Sequence, residues 1–315
     1  MDPTLLNAVL PSLLSGLFAL LAFGLAWWGY PGKPTDASTT PCRASSPRRW
    51  LGPMALTAVA IGGYLLVNST AAHTSTSAIT WPTLWPGPQF LSLWPTIALL
   101  AGALGLASSA FNLPAPTRLL LRALAYAAIT AWAARNQIRN ADIGTTITLL
   151  LGAGFYTHLL CTLLEHAARQ QRGPVAPLIA MLIAAGTSII LIAGFAAQSP
   201  AFQIATLSAA MAGAALVAFV RPRLTIAHGT MTTLGILVSA ALIQATIFGQ
   251  GSGPWQVLYL LAVLTAAAMP MLLEMTNLPS KLLGRSWLPG TIKVLATAAA
   301  LAVGIGSAVV SAVGG

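Results

Sequence analysis

Residues 175–197 read VAPLIAMLIAAGTSIILIAGFAA. Twenty-three positions pass without a charge, and the polar ones are a single Thr187–Ser188 pair. At 1.5 Å of rise per residue a helix of this length covers about 35 Å. The hydrocarbon core of a bilayer is ~30 Å thick, so the stretch is long enough to cross it. A helix apolar on every side belongs either in the core of a large protein or in lipid. The rest of the chain decides between the two.

Moving outward, comparable apolar runs recur in both directions. Ten of them read as spans: 5–28, 51–68, 91–111, 119–134, 144–164, 175–197, 203–220, 226–249, 256–273 and 291–313. The whole chain of 315 residues is 57% apolar and 6% charged, with a mean hydropathy of +0.80. Soluble domains carry roughly 25% charged residues. A chain with so few cannot cover a water-facing surface, so its solvent is lipid. The expected fold class is therefore all-α, a polytopic transmembrane bundle of about ten spans. Residues 1–315 form a single integral membrane domain, with a basic inner loop at 30–50 and a Trp/Pro/Thr-rich outer loop at 69–90. Neither loop is long enough for a soluble catalytic domain. The start, Met-Asp-Pro-Thr, lacks the basic n-region of a cleaved signal, so the first run is expected to be a retained span.

Cations fix the expected orientation. Lys33, Arg43, Arg48, Arg49, Arg118, Arg122, Arg169, Arg172, Arg221, Arg223, Lys281, Arg285 and Lys293 fall in one set of turns, and only Arg135 and Arg139 in the other. The first set faces the cytoplasm or matrix, which puts both termini on the non-cytoplasmic or intermembrane side. Arg118 and Arg122 flank the short fourth run and are expected to snorkel to the interface. Trp27, Trp28, Trp50 and Trp287 mark inner ends, and Trp81, Trp85, Trp94 and Trp255 outer ends, as an aromatic belt does. The net charge of +10 does not indicate nucleic-acid binding, because the cations sit in short clusters between apolar runs. The partners expected are the lipid bilayer and other membrane subunits.

Ionisable groups inside lipid are costly and mark functional candidates. Few exist here. His158 lies within the fifth run, Glu165 and His166 close its inner end, and Glu274 closes the inner end of the ninth. Gln198 and Gln244 lie near outer ends. His158, Glu165, Gln198, Gln244 and Glu274 are thus the candidates for an intramembrane polar path. His158 reads first as a hydrogen-bonded packing residue. A proton relay is the second reading, since an imidazole titrates near neutrality. A metal-ligand role is third, with Cys161 at i+3 as its one neighbouring ligand type. Glu165 and Glu274 read first as ion-pair partners of nearby arginines or lysines. Small-residue stretches such as 208–215, SAAMAGAA, and 304–308, GIGSA, read as helix-packing surfaces. Pro270 is expected to kink the ninth run. No phosphate loop, zinc-protease pair or paired-Asp motif is present, and Cys42 and Cys161 form no disulfide framework. No metal, no cofactor and no autonomous catalysis are expected.

Residues 118–130, RLLLRALAYAAIT, resemble the basic, Leu-Ala-Tyr-Ser-Ser-Ile segment of the antiporter-like membrane subunits of respiratory complex I. Among these the chain is most similar to subunit N of bacteria, subunit 2 of mitochondria. The run at 97–111 before it, the start at 5–17 with Arg48 and Arg49 following, the stretch 208–223 and the run LGILVSAALI at 234–243 resemble family segments in the same order. Together they cover about half the chain. The resemblance implies a membrane-arm subunit of an NADH–quinone oxidoreductase in the mitochondrial or bacterial inner membrane. This chain departs from the family where protons would move. The central block of spans with the path Glu and Lys is absent. The family's histidine after the Ser-Ser-Ile stretch falls on Ala131, and its broken-helix lysine falls near Gly194–Gln198, with Gln in its place. The ninth and tenth runs have no counterpart. The resemblance therefore implies a shortened, structural or weakly proton-conducting subunit. The alternatives are a stand-alone secondary transporter of a small neutral or apolar solute, and a scaffold subunit of another membrane complex.

Overall fold

A computed structural model describes residues 12–22, 24, 46–72, 94–110, 114–133, 142–171, 173–220, 226, 228–248, 255–276 and 288–314. Every apolar run singled out above contains a helix among these residues. They are α1 (Ser12–Ala22), α2 (Ser46–Ala72), α3 (Trp94–Ala110), α4 (Ala115–Ala133) and α5 (Ile143–Gln170), then α6 (Val175–Phe195), α7 (Gln198–Val220), α8 (His228–Phe248), α9 (Trp255–Met275) and α10 (Leu288–Gly314). Six helices, α5 to α10, are long and apolar enough to cross a membrane. The chain is a helical membrane protein by that measure.

Helix α8 is the axle. In its apolar stretch, Gly229–Ile247, 89% of the residues are buried, against 28% in α9 and 22% in α10. It packs against α2, α3, α5, α6 and α7, while α9 and α10 pack on each other and on α6. Helix α4 lies outside, against α5 and α3. In lipid there is no hydrophobic gain from bringing two apolar helices together, so close van der Waals contact and hydrogen bonds must hold them. Glycine permits that contact. Gly105 of α3 and Gly229 of α8 meet backbone to backbone, and a Cβ on either would collide with the other's carbonyl oxygen.

The α6–α7 hairpin shows how tightly a turn closes. Ala196 adopts the left-handed conformation (φ 51°, ψ 26°), and the Ala197 amide donates to the Leu191 carbonyl at 2.9 Å. Two hydroxyls then fasten the antiparallel pair. Ser188 donates to the Ala201 carbonyl at 2.8 Å, and Ser208 to the Met181 carbonyl at 3.1 Å.

Some expectations change. Helix α2 takes in residues 46–50 and 69–72, which the apolar pattern leaves in the flanking loops; Ser46-Pro47 starts it, a proline being well tolerated in a first turn. Trp94 is 1% exposed and belongs to the core, not to a belt, because it shares a buried face with Ile97, Ala98 and Ala101 at helical spacing. Trp50 and Trp255 are exposed as a belt requires. Helix α9 continues through Pro270 as one element. Trp27, Trp28, Trp81, Trp85, Trp287 and Cys42 lie outside the described residues, as do Lys33, Arg43, Arg135, Arg139, Arg172, Arg221, Arg223, Lys281 and Arg285.

Candidate functional site

The paired carboxylates and the Arg and Lys side chains described within the helices gather at one end of the bundle. That end joins the C-terminal parts of α3, α5 and α9 to the N-terminal parts of α4, α8 and α10. Helical spacing builds it. Arg118 and Arg122 are four residues apart and share one face of α4, and Glu165 and Arg169 share one face of α5.

The first cluster centres on Glu165. The Arg122 guanidinium donates to the Glu165 carboxylate, as does the Thr232 hydroxyl of α8. The same Arg122 nitrogen lies 3.1 Å from the Thr232 hydroxyl and 3.4 Å from the Ser108 hydroxyl of α3. Arg122 is 3% exposed and Glu165 4%. Two more guanidiniums approach the other Glu165 oxygen, Arg118 at 3.6 Å and Arg169 at 4.0 Å. Arg118 and Arg169 keep access to the surface, but Arg122 does not snorkel. Its side chain passes between α3 and α5 to reach the central helix, because Glu165 offers a full opposite charge there.

The second cluster centres on Glu274 of α9. Lys293 of α10 donates to its Oε1 at 2.5 Å and the Gln171 amide to the same oxygen at 2.9 Å, while the His166 Nε2 lies 2.8 Å from its Oε2. Glu165 and His166, adjacent in sequence, thus meet different neighbours of α5. One ties it to α4 and α8, the other to α9 and α10.

Of the five path candidates, the structure brings Glu165 and Glu274 to this end but pairs each separately. His158 stands two turns before Glu165, roughly 10 Å along the axis, with its Nε2 3.4 Å from the Thr162 hydroxyl and its buried Nδ1 without a protein partner. Gln198 is exposed at the opposite end, where the α6–α7 hairpin turns. Gln244, 8% exposed on α8, has a buried carbonyl oxygen with no partner.

Gln203 escapes a reading of the sequence. It is 1% exposed, and neither its amide nitrogen nor its amide oxygen has a protein partner. Thr187 of α6 and Ser239 of α8 also carry buried, unpartnered hydroxyls. With Gln244 they lie on three mutually packed helices, toward the half away from the ion pairs. Only the spacing of Gln203 from Gln198, just over one turn, hints that the two face differently. Among the described residues no three His, Cys, Asp or Glu side chains converge as a metal site requires.

Asp142 caps α5 at its far end. The Thr145 hydroxyl and backbone N–H (3.2 Å) both donate to it, which holds this exposed carboxyl below its ordinary range. Compared with protein-family models and with curated proteins, the sequence matches none.

Proposed function

We propose that this chain is a non-catalytic structural subunit of a larger membrane complex. The membrane arm of a respiratory NADH–quinone oxidoreductase is the assembly that the resemblance of residues 118–130 points to. The observation that carries the structural reading is the pairing of Arg122 with Glu165 and of Lys293 with Glu274. A proton path across a bilayer needs exchangeable groups in series. In the described helices the carboxylates are instead held at one end as inter-helix fasteners, and His158, deeper in, meets the Thr162 hydroxyl rather than a carboxylate. Purification in a mild detergent tests the reading. The tagged protein is expected to run with larger partners and with NADH–quinone oxidoreductase activity. A protein that always runs alone at its monomer mass would overturn it.

Gln203, Gln244, Thr187 and Ser239 favour a second reading. Buried neutral donors and acceptors without protein partners suit a small uncharged solute that supplies hydrogen bonds itself. In that case the chain is a transporter. Proteoliposomes containing it alone would then pass a neutral solute such as urea or glycerol faster than empty vesicles, and Q203L would abolish the difference.

A further inference from the structure

Glu165 bears one negative charge and faces three guanidiniums. Arg122 takes the hydrogen bond. Arg118 and Arg169 stand off at 3.6 and 4.0 Å from the other oxygen, beyond hydrogen-bond length, so this carboxylate does not consume their N–H donors. The Arg118 Nε is buried without an acceptor. Across the two clusters four cations, Arg118, Arg122, Arg169 and Lys293, meet two carboxylates, Glu165 and Glu274, so positive charge is left over on the Arg118–Arg169 side.

Position and surroundings define what that charge would hold. Arg118 lies in the first turn of α4 and Arg169 in the last turn of α5, so both stand at a helix end, where a spanning bundle would meet lipid headgroups. Both approach one carboxylate oxygen, so a single phosphate group has the reach to accept from both, and arginine suits phosphate. Along the same helices, deeper in the bilayer, Leu120, Leu121 and Leu124 of α4 and Leu151 and Phe155 of α5 are exposed. A guest with a phosphate at one end and an apolar body at the other matches both features.

We infer that Arg118 and Arg169 form a headgroup site for an anionic phospholipid between α4 and α5. Glu165 sets the spacing of the two guanidiniums while Arg122 neutralises it. The inference is independent of which assembly or activity the chain serves.

Native mass spectrometry of the full-length protein in a nonionic detergent tests it, with phosphatidylglycerol and phosphatidylcholine as probes. Phosphatidylglycerol should bind at least tenfold more tightly than phosphatidylcholine. Each arginine near a bilayer surface strengthens anionic-lipid binding by about fivefold. R169Q should therefore weaken phosphatidylglycerol about fivefold and leave phosphatidylcholine unchanged. The half-exposed Arg169 side chain makes this the variant that keeps its fold, checked by an unchanged melting temperature. R118Q/R169Q should remove the preference. Equal binding of the two lipids, or R169Q binding like the parent, would overturn the inference. Displacement of phosphatidylglycerol by millimolar inorganic phosphate would assign the guanidinium pair to the free anion and overturn the lipid assignment.

Discussion

Arg122 and Glu165 stand 43 residues apart in the chain and form a hydrogen-bonded ion pair inside the bundle. Two charges withdrawn from solvent are tolerable only as a pair. Removing one partner leaves the other buried and uncompensated, at a cost of about 3–5 kcal/mol. E165Q and R122Q are therefore each expected to lower the melting temperature in detergent sharply. The double variant R122Q/E165Q should lose less than the two singles added together, which a double-mutant cycle by thermal unfolding measures. Additive losses would show that the pair does not act as a unit.

The second cluster is more open. Glu274 is about a quarter exposed and keeps two partners when Lys293 is removed. K293M is expected to cost only about 1 kcal/mol, within the range for partly solvated pairs. Side-by-side melting of K293M and R122Q checks the order, and a K293M loss as large as that of R122Q would contradict it.

Glycine substitutions should sort by the space around them. G229A places a Cβ against the Gly105 carbonyl and must push α3 from α8, so folded yield should fall and the melting temperature drop. G306A adds a methyl where nothing lies within 4 Å, and it gains helix propensity. It should be neutral or slightly stabilising. Fluorescence-detected size exclusion of both variants reads the difference.

Asp142 sets a pH dependence at the other end of α5. Thr145 donates to it and lowers its folded pKa, so the cap is in force above the unfolded value of ~3.9 and fails as pH falls through the lower folded value. Near neutrality the cap is intact. Amide exchange at residues 143–146 should therefore be slow at pH 7. It should rise on acidification relative to D142N, which keeps a capping side chain and has no charge to lose. D142A should exchange faster than D142N at both pH values.

The helices were legible because apolar length alone specifies them. Each run from 5–28 to 291–313 contains a helix, and boundary errors such as residues 46–50 arise where polar residues continue a helix beyond its apolar run. The charged residues were legible as types but not as contacts. Arg118 and Arg122 read alike, both basic at the end of a short run, and only the placement of α4 against α5 sends Arg122 inward. Trp94 looked like a belt residue because an end position does not tell which face it occupies. Gln203 and Gln198 both read as polar residues at the edge of an apolar run. The left-handed turn at Ala196 makes one the exposed start of α7 and leaves the other a full turn inside.

The account rests on α5 crossing a bilayer with its cationic end on one side. Its 28 residues span roughly 42 Å. With Cys42 and Cys161 replaced by alanine, single cysteines at Asp142 and Arg169 can be labelled by a membrane-impermeant maleimide in oriented vesicles. D142C should react only from the non-cytoplasmic side and R169C only from the cytoplasmic or matrix side. Reaction of both from the same side would contradict the account.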